Sequence, residues 1–172
     1  MRKCKTCGTR YEPTMRVQTA CSVPCAIEQA KVARVKKEAK EDREKKLKLK
    51  PRAQWMREAQ AVFNRFIRAR DAGQPCISCG RHHPGQIHAG HYMSTGARPE
   101  LRFDERNVHA QCAPCNNHLS GNIALYRAGL IAKIGLPAVE SLEGQHEPKK
   151  YSIDELREIK AIYTQKLKQL QP

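Results

Sequence analysis

Aromatic residues are scarce in this sequence. Trp, Tyr and Phe make up 5% of its 172 residues, and hydrophobic residues of all kinds reach 40%. That is too little apolar material for one large core, and it points to one or two small domains. No stretch approaches the roughly 18 consecutive apolar residues that a membrane-spanning helix needs, so no membrane partner is expected. The N-terminal run MRKCKTCGTRYEP has no apolar centre of the secretory kind, so a cytoplasmic location is expected. Acidic side chains are also in deficit: 17 Asp plus Glu stand against 32 Lys plus Arg, a formal charge of +15. An imbalance of this size favours a polyanionic partner over an inert scaffold.

Cysteine, by contrast, is plentiful, with eight residues in the chain. Thiols in a reducing compartment stay reduced, which argues for metal rather than for four disulfides. Cys4 and Cys7 form a CxxC pair, and Cys21 and Cys25 follow after a gap of 13 residues. Two short pairs separated by a returning segment suit a tetrahedral zinc ion. Cys76 and Cys79 pair with Cys112 and Cys115 in the same manner, across a gap of 32 residues. Gly8 and Gly80 each follow the first pair of a set and suit a tight knuckle turn. Two structural zinc ions are therefore expected. Redox dithiols are the alternative, and the lack of a thioredoxin-like βαβ pattern speaks against them.

The chain divides into three parts: a Cys-rich module at 1–25, a charged segment at 26–50, and residues 51–172, which carry nearly all the aromatics. Residues 1–50 hold 15 basic and 6 acidic side chains, a net +9, so the positive charge is concentrated there. The segment 26–50 lacks Gly and Pro and is rich in Ala, Lys, Glu and Arg, which predicts a solvated helix. It reads either as a spacer or as an arm that contacts DNA. After Pro51, Trp55, Ala59, Val62 and Phe66 recur at helical spacing up to Asp71, Gly73 and Pro75. Near the C-terminus, Ser152 and Glu155 form a capping-box pattern. Leu156, Ile159, Tyr163, Leu167 and Leu170 then predict a helix that either packs on its own domain or pairs with a second chain.

The insert between the second pair of knuckles carries the chemistry. It holds His82, His83, His88, His91 and His109, with Arg98, Arg102 and Arg106. His91 lies in QIHAGHY and Asn107 opens NVHAQ, both plausible strands. Asn116 directly follows Cys115 and starts NNHLSGNIALYRAG, which reads as a helix. Strand, loop, strand and helix with His, Asn and Asn at these places resemble the HNH, or ββα-metal, nuclease motif. The resemblance implies that His91 is the general base, that Asn107 braces the loop beside it, and that Asn116 holds a divalent metal against the scissile phosphate. Phosphodiester hydrolysis needs a base that titrates near neutral pH, which His supplies. An amide oxygen suits Mg²⁺ or Mn²⁺. A cation such as Arg102, with Arg98 nearby, can stabilise transition-state charge.

CxxC before such a site, and CxxC followed at once by Asn, is similar to the junction-resolving endonuclease VII type. The strings CISCG, AGHYMSTGARPELRFDERNVHAQCAPCNNHLSGN and FNRFIRARD, with CKTCG and CSVPC upstream, resemble the lambdoid phage NinG family over essentially the whole chain. That family includes the recombination nuclease Rap, which acts on branched DNA. The expected fold is therefore a small α+β, zinc-stabilised ββα-metal core with flanking helices, an N-terminal zinc module and a long basic helix. The expected activity is metal-dependent, structure-selective cleavage of branched intermediates such as Holliday junctions and D-loops, in the cytoplasm of an infected or lysogenic host. Two cuts on one junction need two sites, most simply a homodimer; host or phage recombination proteins are further candidate partners. One position departs from the broad HNH pattern. Many members place Asp or His just before the base as a second metal ligand, and this chain has Gly90 there. His88 is the candidate replacement, although a regular strand aims it away from His91; Ser120 is a weaker one. The alternative is a non-catalytic zinc-finger adaptor for DNA or RNA, which accounts for the cysteines and the charge but not for the order of His91, Asn107 and Asn116.

Overall fold

The computed structural model describes residues 1–170 and separates the chain into two units, Met1–Lys50 and Pro51–Pro172. In the first unit, β1 (Arg2–Lys3) and β2 (Arg10–Tyr11) form an antiparallel hairpin around the first CxxC knuckle, with Arg2 opposite Tyr11. Gly8 closes the knuckle at φ +76°, a conformation that costs a glycine little. Helix α1 spans Val23–Leu49. It begins three residues earlier than the segment 26–50 and takes Cys25 into its first turn. Ser22 is extended at the N-cap and Pro24 pre-sets the first turn. The four-residue step from Cys21 to Cys25 thus crosses a helix start rather than a second knuckle.

No residue of α1 is buried. Its 27 residues give about 40 Å of solvated helix. Arg34–Glu38, Lys37–Glu41 and Lys40–Glu44 pair at 3.6–4.0 Å along its surface. Each such exposed pair contributes a few tenths of a kcal/mol, roughly 0.3–0.5.

The second unit contains α2 (Arg52–Arg70), β3 (Ile87–His91), β4 (Val108–Cys112), α3 (Ile123–Ile134), α4 (Leu136–Glu143) and α5 (Ile153–Leu170). Helix α2 buries Trp55, Ala59, Phe63, Phe66 and Ile67, while Val62 is only half-buried at the edge of that face. Helix α5 starts in the capping box: the Ser152 hydroxyl accepts from Glu155 N at 3.2 Å, and the Glu155 carboxylate accepts from Ser152 N at 2.8 Å. Its apolar residues Leu156 and Tyr163 join Trp55, Phe63 and Phe66 of α2 in one core. The apolar face of α5 is thus covered inside the unit, so a second chain would need a different surface.

Strands β3 and β4 pair antiparallel, with His88 opposite Gln111, Gly90 opposite His109 and His91 opposite Val108. Opposed residues share a face of the sheet, and neighbours along a strand alternate. Ala89, His91 and Val108 therefore face α2, where Phe63 lies. His88, Gly90, His109 and Gln111 face the other way. There, Tyr126 of α3 donates to the Gly90 carbonyl at 2.9 Å. Helix α3 can approach because Gly129 has no side chain: a Cβ there would come within 2.0 Å of the Ile77 carbonyl in the Cys76–Cys79 knuckle.

The helix expected from Asn116 onward is interrupted. Pro114–His118 form one wide helical turn, and Ser120, Gly121 and Asn122 then take positive φ values before α3 begins at Ile123. The Leu-Ser-Gly-Asn run breaks the helix here, so Ser120 is not on a continuous helical face with Asn116. The result is a small α+β architecture with two two-stranded sheets and flanking helices. Among the described residues, no helix is long and apolar enough to cross a membrane.

Candidate active site

Each cysteine set closes on itself. The sulfurs of Cys4, Cys7, Cys21 and Cys25 lie within 4.8 Å of one another, as do those of Cys76, Cys79, Cys112 and Cys115. Individual separations are 3.5 Å for Cys7–Cys21, 3.8 Å for Cys21–Cys25 and 4.0 Å for Cys79–Cys112. A zinc ion at about 2.3 Å from four thiolates holds them about 3.8 Å apart, whereas a disulfide would bring two sulfurs to about 2.05 Å. Both tetrads can hold zinc. His83 places Nε2 at 3.3 Å from the Cys79 sulfur, beside the second tetrad.

This second tetrad joins the knuckle before β3 to the end of β4, and so fixes the sheet that carries His91. His91 sits at the last position of β3, with Phe63 behind it at 6.5 Å between ring centroids. Its Nε2 lies 3.0 Å from the Arg102 carbonyl oxygen. A carbonyl only accepts, so Nε2 carries the proton in this contact. Burial of the ring lowers the His91 pKa from its ordinary value, and the Arg102 guanidinium adds to this, against the carbonyls of Arg102 and Ala89. Burial thus favours the neutral imidazole, and the Arg102 carbonyl fixes the ring's orientation.

The loop between the strands is tied to Asn107, which is 0% exposed. Its Oδ1 accepts from Met93 N at 2.7 Å, and its Nδ2 donates to the carbonyls of Met93 at 3.0 Å and Leu101 at 3.1 Å. One side chain thus links both ends of the loop whose Arg102 carbonyl holds His91. The Arg102 guanidinium donates to Gln60 Oε1 on α2 at 3.1 Å and to the Thr95 carbonyl at 3.3 Å. Arg98 turns away and donates to the Glu143 carbonyl at the end of α4. Arg106 is paired with Asp104 at 2.6 Å.

Asn116 lies in the wide turn after Cys115 and is half-buried; its Nδ2 donates to Asn117 Oδ1 at 2.8 Å. His88 lies on the sheet face opposite His91, with its Nε2 buried and without a hydrogen-bond partner. The structure thus bonds His91 to the Arg102 carbonyl, in a loop that Asn107 ties through Met93 and Leu101, and leaves His88 and Asn116 outside that arrangement. Sequence reasoning missed three residues that shape this region: Phe63 and Gln60, which reach it from α2, and Gln111. Gln60 belongs to no motif, and Phe63 opens the string FNRFIRARD without any sign there that it would back a histidine. Gln111 had a signal, a polar residue in the middle of a strand whose five positions are all buried.

The comparisons with known proteins agree on one family. The family model described as Bacteriophage Lambda NinG protein matches residues 1–172. The chain belongs to the NinG family. It is 43% identical to Protein ninG of Escherichia phage 933W over 187 residues, covering 98% of this chain and 93% of the relative. It is 42% identical over 189 residues, with the same coverage, to Protein ninG of Salmonella phage P22 and of Escherichia phage lambda. No solved structure gives a significant match. This NinG-family chain shares nearly the full length of its phage relatives, so both cysteine tetrads and the segment around His91 lie within the matched region.

Proposed function

We propose that this NinG-family protein is a divalent-metal-dependent endonuclease of the HNH type, acting on branched DNA such as Holliday junctions and D-loops during phage recombination. The observation that carries the reading is the His91 imidazole: neutral, backed by Phe63, and oriented by the Arg102 carbonyl of a loop that Asn107 ties together. A purely structural zinc adaptor has no need for a basic nitrogen held in this way.

In this reading, the His91 imidazole takes a proton from a water molecule lined up on the phosphorus, while the Arg102 carbonyl stabilises the imidazolium that forms. Arg102, held by Gln60 and Thr95, supplies positive charge beside the base. Asn107 does not touch substrate; it keeps the loop, and with it the ring, in place. The Asn116 amide makes no hydrogen bond beyond that to Asn117 among the described residues, so its oxygen fits a cation. His88 has the buried, unpartnered nitrogen expected of a ligand. When bound, Mg²⁺ or Mn²⁺ would neutralise charge on the phosphoryl oxygens. Zinc at Cys76, Cys79, Cys112 and Cys115 would act as scaffold, with all four positions filled by thiolate. Eight thiolates on two Zn²⁺ lower the formal +15 to about +11, still an excess suited to sequence-independent phosphate contacts.

The test is cleavage of supercoiled plasmid and of a four-way junction in Mg²⁺ or Mn²⁺, with His91→Ala in parallel. Cutting that disappears in the variant supports the reading. Binding without cutting under either metal returns the chain to the adaptor class.

A further inference from the structure

Helix α2 carries five arginines, no lysine and a single carboxylate, Glu58. Glu58 is engaged by Lys160 of α5 at 2.7 Å. Arg52 and Arg70 are used within the unit, on the Tyr151 carbonyl and on Asp71. Arg57, Arg65 and Arg68 are exposed and form no ion pair or hydrogen bond among the described residues. We infer that these three arginines are a phosphate-contacting stripe that holds a DNA strand beside His91. The inference rests on the nuclease reading for the identity of that strand; the contact itself is a matter of binding and needs no cutting.

The stripe is continuous with the candidate site. At 3.6 residues per turn, Arg57, Asn64 and Arg68 fall within about 40° of one another around the helix, with Arg65 about 60° further round. Gln60 lies next to Asn64 on the other side, and its Nε2 donates to Asn64 Oδ1 at 2.7 Å. The oxygen of the same amide accepts from the Arg102 guanidinium at 3.1 Å, and the Arg102 carbonyl holds His91. Phe63, which backs His91, follows on the buried side. The order round α2 is thus Phe63 against His91, Gln60 against Arg102, then Asn64, then the open arginines.

The charge pattern separates this face from a merely solvated one. On α1, basic residues alternate with acids that pair with them four residues on. The outer face of α2 has no acid to answer its arginines. Arg65 and Arg68, three residues apart, repel each other unless an anion lies between them. The planar arginine fork presents two parallel N–H donors to phosphate oxygens, where lysine offers only a point charge. From Arg57 to Arg68 the stripe rises about 16 Å, close to five base steps of a duplex strand at about 3.4 Å each. Phosphate contacts carry no base code, which suits an enzyme that selects DNA by its branching.

The probes are a fluorescently labelled DNA duplex and a four-way junction, titrated with the zinc-loaded full-length chain in the absence of Mg²⁺ and Mn²⁺. The slope of log affinity against log salt counts the phosphates engaged. The triple variant Arg57→Gln, Arg65→Gln, Arg68→Gln should lower that slope by about 2.7, so that the unaltered chain loses about 40-fold more affinity than the variant between about 50 and 200 mM salt. Its zinc content and near-ultraviolet circular dichroism should not change, because the three side chains hold nothing else in place. The corresponding lysine replacements, which keep the charge, should restore most of the slope. A p-benzoylphenylalanine at Ala61, exposed among the arginines, should photocrosslink to the DNA. An unchanged slope in the glutamine variant, or no crosslink from position 61, would overturn the stripe. The crosslink is read with all three arginines intact, so it decides even if the glutamine variant does not fold. A lowered slope with no cutting by the unaltered chain in Mg²⁺ or Mn²⁺ would remove the nuclease reading and keep the stripe. Cutting together with an unchanged slope would do the reverse.

Discussion

Nε2 of His91 lies 3.0 Å from the carbonyl oxygen of Arg102, across a loop of ten intervening residues. The position of that loop and the protonation state of the ring are therefore coupled. Burial holds the imidazole below its ordinary pKa. A base works only when unprotonated, so activity should be lost as pH falls through the lowered value. The acid limb of kcat/KM should then lie below pH 6.5, the ordinary value for His. His91→Ala should reduce cutting by about 10²–10⁴-fold without loss of zinc. A limb above pH 6.5, read from single-turnover cleavage of a labelled junction, would contradict the burial argument.

Asn107 should be less tolerant of an aspartate replacement than its shape suggests. The native amide offers an acceptor to Met93 N and a donor to the Met93 and Leu101 carbonyls. Asn107→Asp keeps the acceptor but sets a buried carboxylate oxygen against two carbonyl oxygens. Asn107→Ala leaves three backbone groups without partners, at about 1–3 kcal/mol each before relaxation. Both variants should lower the chemical-denaturation midpoint, and Asn107→Asp should be no more stable than Asn107→Ala. Near-native stability in Asn107→Asp would show that the loop is held by something else.

The two tetrads should be separable. Zinc analysis of the intact chain should give two ions, and either Cys21→Ser or Cys112→Ser should lower the count to one. The consequences should differ, because the tetrads lie in different units. Cys112 is at the end of β4, and its tetrad anchors the knuckle on which Gly129 of α3 rests. Its loss should abolish cutting and the main unfolding transition. Loss of the first site should leave that transition in place. A single merged transition, abolished by either substitution, would mean that the units do not fold separately.

Some of this was legible in the residues, and some was not. The tetrads were readable because ligand spacing is a local property, as was the capping box at Ser152 and Glu155. The strands around His91 and Gln111 were legible as short segments, QIHAGHY and NVHAQ, on either side of the loop. The break at Ser120–Asn122 was not read, because helix-compatible residues on both sides hid a turn that depends on three consecutive positive φ values. Gln60 and Phe63 were invisible as site residues, since only the packing of α2 on the sheet brings them to Arg102 and His91. The free-standing α1 was legible for the opposite reason: with no buried residue, its sequence alone determines it.

His109 gives a test of the fold that needs no substrate. It is 2% exposed, faces Tyr126 of α3, and has its pKa lowered to about 4. Desolvation is the main cause, helped by the positive charges of Lys133 and Arg70 and opposed by Asp71. The sign follows from proton counts. Between about pH 6.5 and 4 the unfolded chain protonates this histidine and the folded chain does not, so stability falls as pH falls through that window. The loss reaches on the order of 3 kcal/mol near pH 4 and then levels off, because both states are protonated below it. His91 is shifted in the same direction and adds to the slope. Denaturant midpoints at pH 7.5, 5.5 and 4.5 should therefore decline steadily. His109→Gln should flatten most of that decline and leave the smaller share owed to His91. An undiminished slope in the variant would show that His109 does not stay neutral between the sheet and α3.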